Sequence, residues 1–188
     1  MDFQQNRSIT TLHDLGLRSL EQKEAELQLF SGYRPMELVL PCLYSEIDGP
    51  ALGPIVEHLS SVKYISHITI GLDKATKAEF EDAKRFFTRL QSPHSVIWND
   101  GPRLNRLRQS LESVGLEMGE QGKGRNVWTC IGHVISRGKA DVVGYHDCDI
   151  LRYNRFFNAN LFLPLANPDF EFEFCKGYYA RVADGKLN

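Results

Sequence analysis

Asp141-Val142-Val143-Gly144-Tyr145-His146-Asp147-Cys148-Asp149 is the stretch from which the fold and a site can both be read. Asp141 to Tyr145 is a β-branched run with strand character. It leads directly into two carboxylates spaced i and i+2. Side chains alternate along an extended chain, so Asp147 and Asp149 point the same way and Cys148 points the other. Two acids facing one way at the carboxyl end of a buried strand repel each other and lose solvation, which is costly without a partner. The partner suited to them is a hard divalent cation, Mg²⁺ or Mn²⁺. Such an ion takes one or two carboxylates and fills its other positions with water and phosphate oxygens. The plainer alternative is an Asp-rich turn that ends a strand. Cys148 reads as packing, and His146 as either a diphosphate contact or a hydrogen-bonded strand residue.

The same strand type recurs upstream, alternating with helices. Residues 37–43, 67–72 and 95–98 read as strands, and 51–62, 75–90, 103–114 and 125–137 as helices. The helical stripes are Leu52, Ile55, Val56 and Leu59; Phe80, Ala83, Phe87 and Leu90; Leu104, Leu107, Leu111 and Val114; and Val127, Trp128, Ile131, Val134 and Ile135. Strand–helix alternation predicts an α/β fold, a mostly parallel twisted sheet with helices on both faces. Ligands of such sheets bind outside the carboxyl ends of the strands. Glu46, Asp73, Asp147 and Asp149 all fall at such ends. Residues 8–30 read as a helical leader, with Ile9, Leu12, Leu20, Leu27 and Phe30 apolar and 21–26 as a solvated charged stretch. The leader spans 1–36 and the main domain 37–188. After the fourth strand, a helix over 153–165 closed by Pro164 and Pro168, then a half-buried strand over 170–174, complete the pattern.

Composition fits a globular domain with a substantial core: 188 residues, 42% hydrophobic and 24% charged. A net charge of −2, from 22 Lys+Arg against 24 Asp+Glu, argues against nucleic acid or an anionic membrane as partner. No apolar run reaches membrane-spanning length, and the first residues carry no secretory pattern. Cys42, Cys130, Cys148 and Cys175 form no Cys-x-x-Cys pair. They read as small hydrophobes in a reducing, cytoplasmic setting.

Gly119-Glu120-Gln121-Gly122-Lys123-Gly124-Arg125 opens the fourth helix. Glycines allow close backbone approach, helix N-termini favour anions, and Lys123 and Arg125 add positive charge. The spacing is neither that of a Walker A loop nor a dinucleotide fingerprint. A flexible turn with solvated cations is the alternative. Lys176 and Arg181, flanking Tyr178 and Tyr179, could clamp a phosphate or stack on a ring, or simply end a solvated strand. Arg103, Arg106 and Arg108 read as a solvated helix face. Neither a serine-hydrolase context nor a metal spacing among the six histidines is present.

Taken in order, Val39-Leu40-Pro41-Cys42-Leu43-Tyr44-Ser45-Glu46, Asp73, Gly122-Lys123-Gly124-Arg125-Asn126-Val127-Trp128, Asp147-Cys148-Asp149 and Lys176-Gly177-Tyr178-Tyr179-Ala180-Arg181 resemble the GT-A type nucleotide-sugar glycosyltransferases. The similarity is closest to the glucosyl-3-phosphoglycerate synthase group and spans about residues 37 to 182. It implies a GT-A, Rossmann-like fold and a metal-dependent, retaining transfer of a hexosyl group, glucose expected, from a nucleotide sugar such as UDP-glucose to a phosphorylated small acceptor such as 3-phosphoglycerate. Pro41, Cys42, Leu43 and Glu46 would border uracil and ribose, although Ser45 stands where the family usually has Asn. Asp73 would join the substrate-binding set. Lys123 would touch the nucleotide, Asp147 would approach the ribose or donor sugar, and Asp149 would hold Mg²⁺ or Mn²⁺. Lys176 and Arg181 would shape the sugar or acceptor region. No residue is assigned as catalytic.

The family's acceptor loop and a further metal-binding His lie downstream of the Lys-x-x-Tyr-x-Arg element, and this sequence ends at Asn188. The expectation is therefore a donor-binding part that lacks its acceptor part, with turnover left open. The strand edge left uncovered would allow a homodimer. Two rivals stand beside this reading: a non-catalytic nucleotide-sugar-binding module, and a nucleotidyltransferase. The latter normally carries a Gly-rich loop directly after its first strand, and Tyr44-Ser45-Glu46 is not one.

Overall fold

A computed structural model describes residues 12, 16–170, 172–177, 182–183 and 186–187, the last four by backbone alone. Helix α1 (Leu20–Phe30) precedes β1 (Met36–Leu43), a 3-10 turn (Tyr44–Glu46), α2 (Leu52–Ser60), β2 (Ile65–Asp73), α3 (Lys77–Phe87), β3 (His94–Trp98), α4 (Pro102–Glu112), α5 (Lys123–Arg137), β4 (Val142–Tyr145) and α6 (Arg155–Ala166). Two short strands, β5 (Val182–Ala183) and β6 (Lys186–Leu187), pair antiparallel. Strands β1 to β4 form one parallel sheet in the order β3-β2-β1-β4.

β1 is buried from Met36 to Cys42, an apolar run interrupted by Glu37, which pairs with Arg137 at 3.3 Å, as suits a central strand covered on both faces. Its alternate side chains serve two cores. Leu38, Leu40 and Cys42 join the large cluster with Leu52, Ile55, Val56 and Leu59 of α2, Ala83 and Phe87 of α3, and Ala159 and Phe162 of α6. Val39 points the other way, to Cys130 and Val134 of α5. Helices therefore cover both faces, as the sequence pattern requires.

Helix starts follow local chemistry. Ser19 with Gln22 and Thr76 with Glu79 form capping boxes on α1 and α3, each satisfying two otherwise orphaned backbone donors. Pro102 begins α4, where a missing N–H costs nothing.

Several sequence expectations are corrected. The described part of the leader becomes helical only at Leu20; Gly16 has φ +70° and Leu17 is solvent-exposed. Residues 8–11 lie outside the described residues. Within 21–26, Lys23 is buried, its Nζ 2.8 Å from Asn160 Oδ1 and over the Phe156 ring, because α1 lies against α6. No residue of α4 is buried. Pro164 does not close α6 but sits inside it, where the helix loses one internal hydrogen bond and continues to Ala166. Phe170, Phe172, Glu173 and Phe174 form no strand. Alternation alone supplies no ladder partner, and two of these rings pack on each other instead, Phe170 and Phe172 with centroids 5.6 Å apart.

The largest correction concerns α5. Its buried positions are Asn126, Thr129, Cys130 and Val134, while Trp128 and Ile135 are exposed. The more polar stripe packs inward because α5 presses close onto β2. At Gly71 an added Cβ would run into the Asn126 carboxamide and the Cys130 sulfur, and Asn126 Nδ2 donates to the Gly71 carbonyl at 2.8 Å. Gly71→Ala should therefore cost about 1–3 kcal/mol of stability, the usual penalty for forcing atoms into a packed contact. Urea unfolding checks this; an unchanged midpoint would show that α5 can back away from β2 at no cost.

Candidate functional site

Chain direction across the sheet reverses at β1. The chain leaves β1 toward β2 on one side, and only after β3 does it return to lay β4 on the other. Beyond the carboxyl ends of β1 and β4 no crossing helix fills the gap, and this is where open parallel sheets form ligand crevices. A cleft of about 330 Å³ opens there, lined by Pro41, Cys42, Leu43, Glu46, Asp73, Lys74, Gln121, Gly122, Lys123, Asn126, Asp147, Cys148 and Asp149.

Of the residues singled out in the sequence, Pro41, Cys42, Leu43, Glu46, Asp73, Lys123, Asp147 and Asp149 are brought together in this cleft. Lys176 is exposed and does not line it. Arg181, with Tyr178 and Tyr179, lies outside the described residues.

The first wall is the end of β1. In the 3-10 turn the Glu46 carboxylate folds back, and its Oε2 accepts from the Leu43 backbone N–H at 2.7 Å. Burial raises the Glu46 pKa, against the pull of that hydrogen bond and of the Cys42 thiol; Asp149 adds to the rise and Lys123 opposes it. Asp73 ends β2 and is buried. Burial raises its pKa too, and the amides of Asn99 and Asn126 beside it pull the other way.

Lys74 follows in the left-handed region at φ +54°, unusual for a residue with a side chain. The strain is held from both sides of Ala75. The Trp98 indole N–H donates to the Ala75 carbonyl at 2.7 Å, and the Ala75 N–H donates to Asp100 Oδ2 at 3.1 Å. Phe80 stacks on Trp98 at 5.2 Å and fixes the indole. Asp100 Oδ1 in turn accepts from Gln121 Nε2 at 2.8 Å, tying the loop before α5 to the end of β3. Arg108 belongs to the same corner rather than to a solvated face, since its Nη2 donates to the Asn99 carbonyl at 3.2 Å.

Opposite stands the N-terminus of α5. Lys123, its first residue, reaches Asp147 Oδ1 at 2.6 Å and lies over the Tyr145 ring. The Tyr145 hydroxyl donates to the same Asp147 oxygen at 2.6 Å. Burial lowers the Lys123 pKa, but the bonds to Asp147 and Tyr145 outweigh it and the net shift is upward, so the ammonium is held charged. Burial, then the bond to Asp147, pushes Tyr145 up to about 12. The Lys123–Asp147 pair is partly exposed on both sides, which limits it to about 1 kcal/mol or less. An incoming anion can take Lys123 over at small cost.

The acidic pair differs from its sequence reading in one respect. Asp147 and Asp149 follow the strand in an open turn, Asp147 half-buried and Asp149 exposed, rather than crowding a buried strand end. The burial falls instead on their neighbours, Cys148 and His146. His146 has the structural role: its Nδ1 is 2.9 Å from the Tyr153 hydroxyl, which also accepts from Asn158 Nδ2 at 2.9 Å. The ring packs against Tyr153 and Phe157. This anchor fixes the turn on α6 and leaves both carboxylates facing the cleft. Carboxylate oxygens open to water on one side are the donor set a hard divalent cation needs.

Asn126, Lys74 and Gln121 were not singled out by sequence reasoning. Asn126 carried a signal, as a polar residue on the inner stripe of an otherwise apolar helix. Lys74 and Gln121 carried none, because their place depends on loop conformation.

A parallel sheet covered on both faces, with a nucleotide-sized cleft at its switch point and a carboxylate pair beyond β4, defines a GT-A type glycosyltransferase fold. Within that class the chain is related to the glucosyl-3-phosphoglycerate synthases. It is 46% identical over 181 residues to the glucosyl-3-phosphoglycerate synthase of Persephonella marina, covering 96% of this chain and 45% of the relative. It is 34% identical over 183 residues to that of Methanococcoides burtonii, covering 97% and 44%. The chain thus spans under half the length of the curated relatives it matches. Glucosyl-3-phosphoglycerate synthase from Mycobacterium tuberculosis, crystallised with Mn²⁺, UDP and glucosyl-3-phosphoglycerate, superposes with a TM-score of 0.52 at 18% identity, over 84% of this chain and 47% of that one. The same enzyme with UDP gives 0.53 at 18% identity, over 85% and 48%. At that identity the likeness is one of fold. No protein-family model matches the sequence. Among the described residues, no helix is long and apolar enough to cross a membrane.

Burial lowers the His146 pKa from 6.5 to about 4. A neutral ring in the fold and a readily protonated one in the unfolded chain means stability is complete above pH 6.5 and falls as pH drops toward 4. Between pH 7 and pH 5 this group should remove roughly 1–2 kcal/mol. Urea midpoints across that range, compared between wild type and His146→Asn, isolate it from His67, which is also lowered to about 4. Parallel pH profiles in the two proteins would show that His146 does not titrate in this way.

Proposed function

We propose that the cleft binds a uridine diphosphate sugar, UDP-glucose, and serves transfer of its glucosyl group to a small phosphorylated acceptor of the 3-phosphoglycerate kind. One observation carries the reading. At a single switch-point cleft the end of β1, the cationic N-terminus of α5 and the carboxylates beyond β4 face one another. The names of the relatives supply the sugar and the acceptor.

In this reading Pro41, Cys42, Leu43 and Glu46 border the uracil and ribose, and Asp73 lines the same end. Lys123 and the backbone N–H groups at the start of α5, which carry no side-chain cap, receive the diphosphate, where a helix terminus and a lysine both favour negative charge. Asp147, released from Lys123, turns to the ribose or the donor sugar. Asp149, with Asp147 beside it, holds Mg²⁺ or Mn²⁺. When bound, the cation neutralises charge gathering on the departing diphosphate. Lys176 and Arg181 are assigned to the sugar or acceptor side.

No lining residue must be a nucleophile, and the two thiols are poorly placed to be one. Cys42 and Cys148 are buried, and the neighbouring Cys42 thiol together with burial raises the Cys148 pKa well above that of a free thiol. The acceptor hydroxyl is therefore assigned the direct attack. Its oxygen bonds to the anomeric carbon on the same face from which the diphosphate departs, the carbon–oxygen bond to the diphosphate breaks, the departing diphosphate oxygen takes the hydroxyl proton and UDP leaves. Retention of configuration is part of the proposal.

Calorimetric titration of UDP with and without Mn²⁺ tests the site. Binding should strengthen with Mn²⁺, and Asp149→Asn should abolish the Mn²⁺-dependent part, a loss of at least about tenfold or 1.4 kcal/mol. Retained metal dependence in that variant would remove the support for a glycosyltransferase site. Lys123→Ala should weaken UDP binding by about 10- to 100-fold, the worth of a charge-assisted hydrogen bond, while the melting temperature stays near wild type. An unchanged Kd would leave the glycine-rich loop a solvated turn. UDP release from UDP-glucose and 3-phosphoglycerate separates an enzyme from a module that binds without turnover.

A further inference from the structure

Two thiols meet in the lining of the cleft. Cys42 is 1% exposed and Cys148 is 2% exposed, yet both line the cleft. Their meeting follows from register. Val39 pairs with Tyr145 in the parallel ladder, and three residues further along each chain stand Cys42 and Cys148. Both side chains join the same core cluster. Glu46 comes four residues after Cys42, and the 3-10 turn brings its carboxylate back to the same point. The two sulfurs and a carboxylate oxygen of Glu46 all lie within 4.8 Å of one another. The other cysteines take no part: Cys130 is on α5, across the sheet, and Cys175 follows α6 in a half-buried position.

Soft sulfur ligands do not suit Mg²⁺ or Mn²⁺, which select oxygen. They suit a thiophilic ion. Metal–sulfur bonds of about 2.3 Å in a tetrahedron place two thiolates roughly 3.8 Å apart, within the spread seen here, with a carboxylate oxygen as third ligand. Three protein ligands and one open position is also the arrangement of an accessible zinc site rather than a closed structural one. The cleft lies on the open side. Side-chain rotation would close the set; among the described residues Cys42 Sγ is engaged with the Leu43 carbonyl at 3.2 Å and with Glu46 and Cys148.

We propose that Cys42, Glu46 and Cys148 form a site for one thiophilic divalent cation of the Zn²⁺ or Cd²⁺ class, separate from the hard-cation position at Asp149. The ion binds two thiolates. As each metal–sulfur bond forms, the thiol proton passes to water, and no electron is transferred.

The test is a titration of the reduced, metal-free chain with Cd²⁺ under anaerobic conditions, read by the ultraviolet charge-transfer absorption of cadmium–thiolate bonds. Oxygen-only binding at Asp149 produces no such band, and UDP–Mn²⁺ calorimetry reads that position separately, so this proposal and the donor-site reading can fail independently. Saturation is expected at one Cd²⁺ per chain. Cys42→Ala and Cys148→Ala should each diminish the band and weaken binding by at least about tenfold, the scale on which metal sites respond to loss of support. Cys130→Ala and Cys175→Ala should leave it intact. Both ligand cysteines pack in the core, so Glu46→Gln is the second probe: it keeps both thiols and the band but should weaken Cd²⁺ affinity. A full band in Cys42→Ala or Cys148→Ala, a band lost in Cys175→Ala, or unchanged affinity in Glu46→Gln overturns the site.

Discussion

β1 is hydrogen-bonded on both edges, to β2 on one side and β4 on the other, and the rest of the molecule depends on that double pairing. It buries the strand, so the chain must spend an apolar run there. It also makes β1 the point where the winding reverses, so the loops beyond β1 and β4 diverge and leave a gap. The cleft is thus a consequence of topology before any side chain is chosen. Leu43 stands level with Asp73, so β1 and β2 end together, while β4 stops level with Val39 and the turn beyond it reaches the same rim.

Onto that rim the structure brings two kinds of group with opposite needs. Glu46 and Asp73 are buried enough that their charged forms are disfavoured. Lys123 and Asp147 neutralise each other in a partly exposed pair. The first kind shapes the floor. The second is an exchangeable contact, weak enough to reopen around an anion. Rigidity comes from elsewhere: the His146–Tyr153–Asn158 network under the acidic turn, and the Asn126 amide locked to the Gly71 carbonyl. A site with exchangeable charges on a fixed frame suits a ligand that must both bind and leave.

Much of this was legible in the sequence because it depends on short-range pattern. The parallel α/β fold follows from apolar runs alternating with helical stripes, and α2 buries all four residues its stripe names. Asp73, Lys123, Asp147 and Asp149 could be picked out because charged residues at strand ends and helix starts are visible as such. Where sequence reasoning failed, a distant contact had overridden a local preference. On α5 the apolar Trp128 and Ile135 lost the interior to Asn126 and Thr129, because only a small residue at Gly71 with an amide above it lets helix and strand approach. The Phe170–Phe174 alternation is present as a pattern, but among the described residues it finds no ladder partner.

The sequence by itself determined the strand–helix order, the burial of β1 and the kinds of charged group available, since these follow from hydrophobic period and residue chemistry. Only the tertiary structure decided which groups meet. Cys42 and Cys148 are 106 positions apart and nothing in their spacing links them; parallel register makes them neighbours. Lys74 enters the cleft because Trp98 and Asp100 hold Ala75 from two sides. Asp147 faces Lys123 because a buried histidine fixes the turn between them and the core. Such meetings depend on distances across the chain that local pattern does not encode, because packing and register, not sequence neighbours, set them.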